Sequence, residues 1–340
     1  MMKTSYNRFK IIVVHLFCIT TITLYMTSIF AKEPKKDLPT QKKVTQSKSV
    51  KKVPVKVRPL ELQKSRLSTQ QRTKTRKKKI WPTKRPQRAL VKPPKLGRIP
   101  FELGERLVYK VNMMNAHAGT VTLQVGHRGT FEGKKVLSLS GHIQSSPFLE
   151  NFYPIRDSQV VLVDEKNFLP LKSDFDLNEK GKSIRYLTFF NQKTAKIDWR
   201  KTKKINGVEK RYKEVYQGPK GMFETLSSVY AMRRLDIKKG LMFEQYIWDG
   251  QRERFVTLTV VGEDRVLTDL GWIDAMKVSI SSVITGGIIK RNQLKRPPVK
   301  GTAWFAKDPY RTPIKLITPT RLGIAEATLV QKTIEPLQNP

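Results

Sequence analysis

From about residue 99 to the end of the chain, apolar side chains recur at every second position. In Thr120–Val125, Val121, Leu123 and Val125 alternate with Thr120, Thr122 and Gln124. Ala195, Ile197 and Trp199 do the same against Lys196, Asp198 and Arg200. Leu107, Tyr109, Val111 and Met113 share one face, as do Val256, Leu258 and Val260, and Met276, Val278 and Ile280. Side chains on a strand point alternately to its two faces, so this period predicts antiparallel strands with one face in a core and one in water. Further strands are expected near 135–143, 156–163, 169–176, 183–190, 241–248, 302–306, 313–317 and 323–331. Turn residues suggest connections at Gly129–Gly133, Asn178–Gly181 and Gly262–Asp264.

One stretch departs from this rule. Met222, Leu226, Val229, Tyr230 and Arg233 stand at helical spacing, which predicts a helix over 222–235, and a second short helix is expected at Ser146–Phe152. About a dozen strands exceed what a single twisted open sheet carries comfortably. The expected fold is mainly β: a curled antiparallel sheet or half-barrel, or a closed barrel, over 99–335 with one helix inside or against it. Such a sheet can enclose a ligand, and Trp199, Trp248, Trp272, Trp304, Tyr246 and Phe305 could line the space. Filling the core is the preferred role for these rings, because burial is where aromatics usually go.

The charge is distributed differently from the strands. Residues 31–98 carry 24 Lys and Arg against the three acids Glu33, Asp37 and Glu61. Eight prolines punctuate residues 32–98, and no apolar period is sustained there. Like charges repel and proline removes backbone donors, so this segment is expected to be a disordered basic linker. In polyproline form it would span up to roughly 200 Å, and as a flexible coil about 45 Å. Its densest cluster is Arg72, Lys74, Arg76, Lys77, Lys78 and Lys79. A second basic group, Lys290, Arg291, Lys295, Arg296 and Lys300, flanks Pro297-Pro298 in the folded part. Both are candidate contacts for an anionic envelope surface: lipid headgroups, lipopolysaccharide phosphates or a cell-wall polymer. The alternative is a solvated spacer. Nucleic acid is not expected as a partner of an exported protein.

The chain begins with Lys3, Arg8 and Lys10, followed by residues 11–30 without a single charge and then Ala31. This is the pattern of a secretory signal cleaved after Ala31. The apolar run is also long enough to span a bilayer as a helix, so an uncleaved anchor in the inner membrane is the competing reading. Lys32, Lys35, Lys36, Lys42 and Lys43 follow the run, so the basic residues alone do not set its orientation. Cys18 is the one cysteine and lies inside the run. Disulfide or thiolate chemistry is therefore not expected of the folded part.

Catalytic patterns are sparse. His117, His127 and His142 show no paired ligand spacing, and no metal or other cofactor is expected. Gly181-Lys182-Ser183 resembles the end of a phosphate-binding loop, but Asp176 occupies the place of its first glycine. Asp174 and Asp176 share one side of a strand, and with Lys172 nearby a solvated face is the preferred reading.

Several short stretches resemble a known family. Phe101-Glu102-Leu103-Gly104-Glu105-Arg106-Leu107-Val108-Tyr109, followed by Ala118-Gly119-Thr120-Val121-Thr122-Leu123, is similar to the opening of the bacterial domain-of-unknown-function 3108 family. So are Phe152-Tyr153 with Arg156-Asp157 and Leu169-Pro170-Leu171, and Ser227 to Arg233 before Leu235. Gly301-Thr302-Ala303-Trp304-Phe305, Pro313-Ile314-Lys315 and Gly323-Ile324-Ala325-Glu326-Ala327 complete the resemblance. It implies an exported, mainly β envelope protein without an established activity, and it brings no catalytic residues. The long basic linker and the 290–300 loop depart from the family pattern.

Taken together these features predict a non-enzymatic protein of the periplasm or cell envelope. Its β domain would bind a hydrophobic or amphiphilic molecule, such as a lipid, while the linker contacts anionic surfaces. The alternatives are a tethering protein for the cell wall or a partner, and a polysaccharide-acting enzyme with unrecognised carboxylates.

Overall fold

The structure, a computed structural model, describes residues 95–152, 154–320 and 323–337. The leader with Ala31 and the Arg72–Lys79 cluster lie outside these residues. The expected alternation becomes fifteen strands in one sheet. The first arm is a meander of β1 (Glu105–Met113), β2 (Ala116–Phe131), β3 (Lys134–Ser145), β4 (Arg156–Asp164), β5 (Pro170–Glu179), β6 (Lys182–Asn191), β7 (Lys196–Ile205) and β8 (Val208–Gln217). The chain then passes to β9 (Phe223–Glu224) and returns through β10 (Met242–Trp248), β11 (Arg252–Thr268), β12 (Gly271–Gly287), β13 (Val299–Ala306), β14 (Pro313–Thr320) and β15 (Gly323–Ile334). β15 pairs with β1 and joins the two arms, so the spatial order runs from β8 down to β1, then from β15 down to β9. Every pairing is antiparallel except β9 with β10.

Tight turns set the register of the first arm. Met114-Asn115, Glu132-Gly133 and Asn206-Gly207 all have positive φ at both positions, which matches the twist of the flanking strands. Helix α1 (Pro147–Glu150) lies within the expected 146–152 segment, capped by the Ser146 hydroxyl, which accepts from the Leu149 N–H.

The second helix, α2 (Thr225–Met232), is shorter than its apolar spacing predicts. At its start Phe223 and Glu224 are claimed by β10, opposite Ile247 and Trp248. At its end Arg233 and Arg234 leave the helical path to bond Tyr310 and Gly97 carbonyl oxygens. The start is a reciprocal cap: the Glu224 carboxylate accepts from the Leu226 and Ser227 N–H groups, and the Ser227 hydroxyl accepts from the Glu224 N–H. All of α2 except Val229 is buried. It packs against β3 and β4 of one arm and β10 of the other, so the sheet curls around it.

No backbone ladder joins β8 to β9. The arms meet instead through side chains. The Trp199 indole N–H donates to the Gly250 carbonyl, and the Tyr216 hydroxyl donates to Glu253 at 2.9 Å. Gly286 makes the second contact feasible, because a Cβ there would lie 2.2 Å from the Tyr216 oxygen.

The structure corrects three details of the sequence reading. Gly262–Asp264 is not a turn: it sits inside β11, just after the register shift between Val260 and Gly262. β8 escapes the sequence pattern because all its residues but Tyr216 are exposed and its apolar positions follow no period of two. Trp272 is 60% exposed and stacks with Arg265 outside the core, whereas Trp199, Trp248, Trp304 and Phe305 are buried as anticipated. Among the described residues no helix is long and apolar enough to cross a membrane.

Candidate ligand pocket

The inner face of the curl is apolar by construction, since every second residue of β10–β14 points into it. Ile247, Val256, Leu258, Val278, Ile280, Ala303, Phe305 and Leu316 meet Met232 and Val229 of α2 around a cavity of about 70 Å³. Drug-sized ligands occupy roughly 300–1,000 Å³. The cavity therefore admits the end of an apolar chain and not a whole lipid. None of the tryptophans lines it; of the six aromatic residues singled out in the sequence only Phe305 does.

Four polar residues break this apolar wall: Thr225, Ser228, Gln245 and Lys315, the last paired with Glu326 at 2.9 Å. The Gln245 side chain is 3% exposed, and its Nε2 donates to the Ser228 hydroxyl. Its Oε1 has no hydrogen-bond partner among the described residues. Leaving a buried acceptor unpaired costs about 1–3 kcal/mol, so packing beside the cavity leaves one amide oxygen unsatisfied. The sequence carries a trace of this site. On β10, Gln245 stands between Phe243 and Ile247 on the apolar phase of the alternation, and a polar residue in that phase marks an interior polar group.

A buried polar layer continues from the cavity. The Gln159 amide donates to Glu224 at 2.6 Å and to the Ser173 hydroxyl at 3.3 Å. Burial pushes the Glu224 carboxyl up to about 7, against the pull of Gln159 and the backbone donors of α2. Asp157, two residues before Gln159 on the same face of β4, is pushed up to about 8 by burial. Its Oδ1 accepts from the Asn178 N–H at 2.7 Å, while Oδ2 has no partner among the described residues. Farther along the same interior, the Arg254 guanidinium donates to Asp249 at 2.7 Å and to the Ser282 hydroxyl at 3.1 Å.

Arg252 ties this layer to the 290–300 loop. Its Nε donates to Gln293 at 3.1 Å and pulls that side chain inward. A 3-10 turn over Arg291–Lys295 results, with Lys290, Arg291 and Lys295 exposed and Arg296 half-buried. The structure thus collects these four candidate cationic residues on one short loop outside the sheet.

The other candidates stay apart. Among the described residues no group of three or more His, Cys, Asp and Glu side chains could hold a metal ion. Lys182 does not act as a phosphate-loop lysine: it follows the turn at Gly181 and pairs with Glu179 at 2.9 Å. Asp174 and Asp176 share the side chain of Arg185, as expected of a solvated face. An open groove of about 1090 Å³ carries four carboxylates: Asp236, Glu263 and Asp264 are engaged by Lys238, Lys307 and Lys277, whereas Asp308 keeps a buried Oδ1 with no hydrogen-bond partner among the described residues.

Comparison with known proteins adds the family. The model of a family described as protein of unknown function (DUF3108) matches residues 108–330. Among curated proteins no significant match is found. Among solved structures, a β-barrel-like DUF1849 protein from Brucella abortus is 11% identical, with 68% of this chain and 98% of that one covered at a TM-score of 0.43. A protein from Bacteroides fragilis described as exported, with a YmcC-like fold, is 8% identical over 70% of this chain and 99% of its own, at 0.30. One from Parabacteroides distasonis described as a lipoprotein is 8% identical over the same shares, at 0.31. Likeness at this level carries no argument about function.

Proposed function

We propose that this chain, which belongs to the DUF3108 family of proteins of unknown function, is a non-enzymatic binding protein of the cell envelope. Its curled sheet takes the apolar end of an amphiphile into the cavity beside α2. The cationic linker and the 290–300 loop hold the protein against an anionic surface. The observation that carries this reading is the cavity itself, whose walls are apolar apart from Thr225, Ser228, Gln245 and Lys315 and suit the apolar body of a ligand. Placement in the envelope is supported by the charged start and uncharged run of residues 1–30.

A second reading has an observation of its own. Most of the curl is filled by side chains, including Trp199, Trp248 and Phe305, which suits a scaffold that docks another protein. Native mass spectrometry of the full chain purified from envelopes separates the two. The first reading predicts a co-purified apolar mass that an Ala303→Leu substitution, which fills the cavity, reduces at least tenfold. Wild-type protein that carries no such mass, and takes up no added long-chain alcohol, would leave the scaffold reading standing.

A further inference from the structure

The far end of the β7–β8 hairpin has no role in the cavity, yet it joins an apolar tip to a dense run of cations. β7 and β8 together carry eight basic and three acidic residues. Two of the acids are already occupied, Asp198 by Arg200 and Lys213 and Glu209 by Arg211; the third, Glu214, lies opposite Trp199, toward the other end of the hairpin. Lys203, Lys204 and Lys210, next to the tip, form no ion pair among the described residues.

Register then makes the arrangement specific. Lys203 lies directly opposite Lys210, and the next pair on the same face is Ile205 opposite Val208. Like charges facing each other across a strand pair destabilise it, and neighbouring exposed apolar side chains mark an interaction surface. Ile205 is 37% and Val208 63% exposed, and Tyr212, one pair behind the lysines on that face, is 46% exposed. Lysines that served only to keep an edge strand from pairing would not need an apolar tip beyond them. An apolar tip, a collar of facing lysines and a tyrosine behind it are the parts of a device that enters a bilayer interface: apolar groups at the acyl boundary, ammonium groups at phosphates, a phenol among the headgroups.

We propose that the β7–β8 tip is a membrane-docking arm of the folded domain, with Ile205 and Val208 entering the interface of an anionic bilayer and Lys203 and Lys210 sharing its lipid phosphates. The arm is independent of the cavity, and its success or failure leaves the amphiphile reading untouched.

The linker would hold the full chain on anionic vesicles whatever the arm does, so the test must report locally. In a Cys18→Ser background, an environment-sensitive fluorophore is attached at Val208→Cys, and in a second protein at Val261→Cys on a remote part of the sheet. Vesicles of phosphatidylethanolamine and phosphatidylglycerol are added, with polyphosphate as an anion that has no bilayer. The proposal predicts a blue shift and quenching by brominated acyl chains at position 208 but not at 261. Lys203→Glu combined with Lys210→Glu should abolish both signals while the protein still floats with the vesicles. A label at 208 that stays in water on floating vesicles, responds equally to polyphosphate, or is unaffected by the double substitution would overturn it.

Discussion

Replacing Arg233 with alanine is expected to lower the stability of the β domain by about 3–5 kcal/mol, the range for breaking one side of a buried ion pair. The guanidinium is fully buried, and so is its partner Glu105. Two parallel bonds join them, one to each carboxylate oxygen, with Nη2 at 2.8 Å from Oε2. The remaining donors reach the Tyr310 carbonyl, at 3.2 Å from Nε and 3.1 Å from Nη2. The guanidinium also lies over the Phe101 and Tyr230 rings, at 4.7 and 5.4 Å from their centroids. One side chain therefore joins the C-terminal end of α2, the first residue of β1 and the loop before β14. Removing it strands the Glu105 charge in an apolar setting and empties a volume that nothing nearby fills. Lysine is expected to recover little, since a single ammonium cannot serve two carboxylate oxygens and a carbonyl in one plane. Urea denaturation reads the effect directly. The pair of substitutions Glu105→Leu and Arg233→Met should be less damaging than Arg233→Ala alone, because no charge is left unpaired. A loss below about 1 kcal/mol for Arg233→Ala would show that the contact is not closed in solution.

The second large effect is on pH. Glu224 and Asp157 hold their protons up to about 7 and about 8 in the folded protein, both because of burial. In the unfolded chain they release them near the ordinary carboxyl values of 4.5 and 3.8. Between those limits the folded state binds more protons than the unfolded one, so stability falls as pH rises from about 4 to about 8 and levels off above. Each such proton contributes about 1.4 kcal/mol per pH unit, which for Glu224 alone is on the order of 3 kcal/mol. Around Asp157, Glu179 and Asp176 raise the value and Lys182 lowers it, all as smaller effects than burial. Asp157→Asn keeps an oxygen for the Asn178 N–H and has no proton to lose. Thermal melts of that variant should show a distinctly smaller drop between pH 6 and pH 9 than the wild type. Equal slopes for the two proteins would mean that Asp157 ionises normally in the fold.

The strand alternation was sufficient to foresee a mainly antiparallel β domain, since Val121, Leu123 and Val125 have only one way to reach a core together, but it left a curled sheet, a half-barrel and a closed barrel equally open. β8 escaped notice for the same physical reason: Val208, Tyr212 and Val215 are all exposed, and an edge strand that sends only Tyr216 inward has no period to display. α2 was foreseen, but its ends depend on tertiary contacts of Glu224 and Arg233 with strands distant in sequence, which spacing cannot report. The cavity was only half visible. Its walls follow from the alternation, whereas its size depends on how α2 seats within the curl. Gln245 was missed, although a polar residue in the apolar phase of β10 is a signal that could have found it. That Ser228 would bond one end of its amide and leave the other free depended on packing between α2 and β10. The cationic loop at Lys290–Lys300 was visible as charge, but the bond from Arg252 that turns Gln293 inward was not.

Methyl-resolved NMR of the full chain, titrated with a long-chain fatty alcohol below its solubility limit, tests the amphiphile assignment most directly. Ligand entry beside α2 predicts that the shifts concentrate on Leu258, Val278, Ile280 and Leu316, whose side chains line the cavity. Shifts confined to exposed methyls such as those of Val208, Val215 and Val261, with the cavity methyls unmoved at saturation, would contradict it.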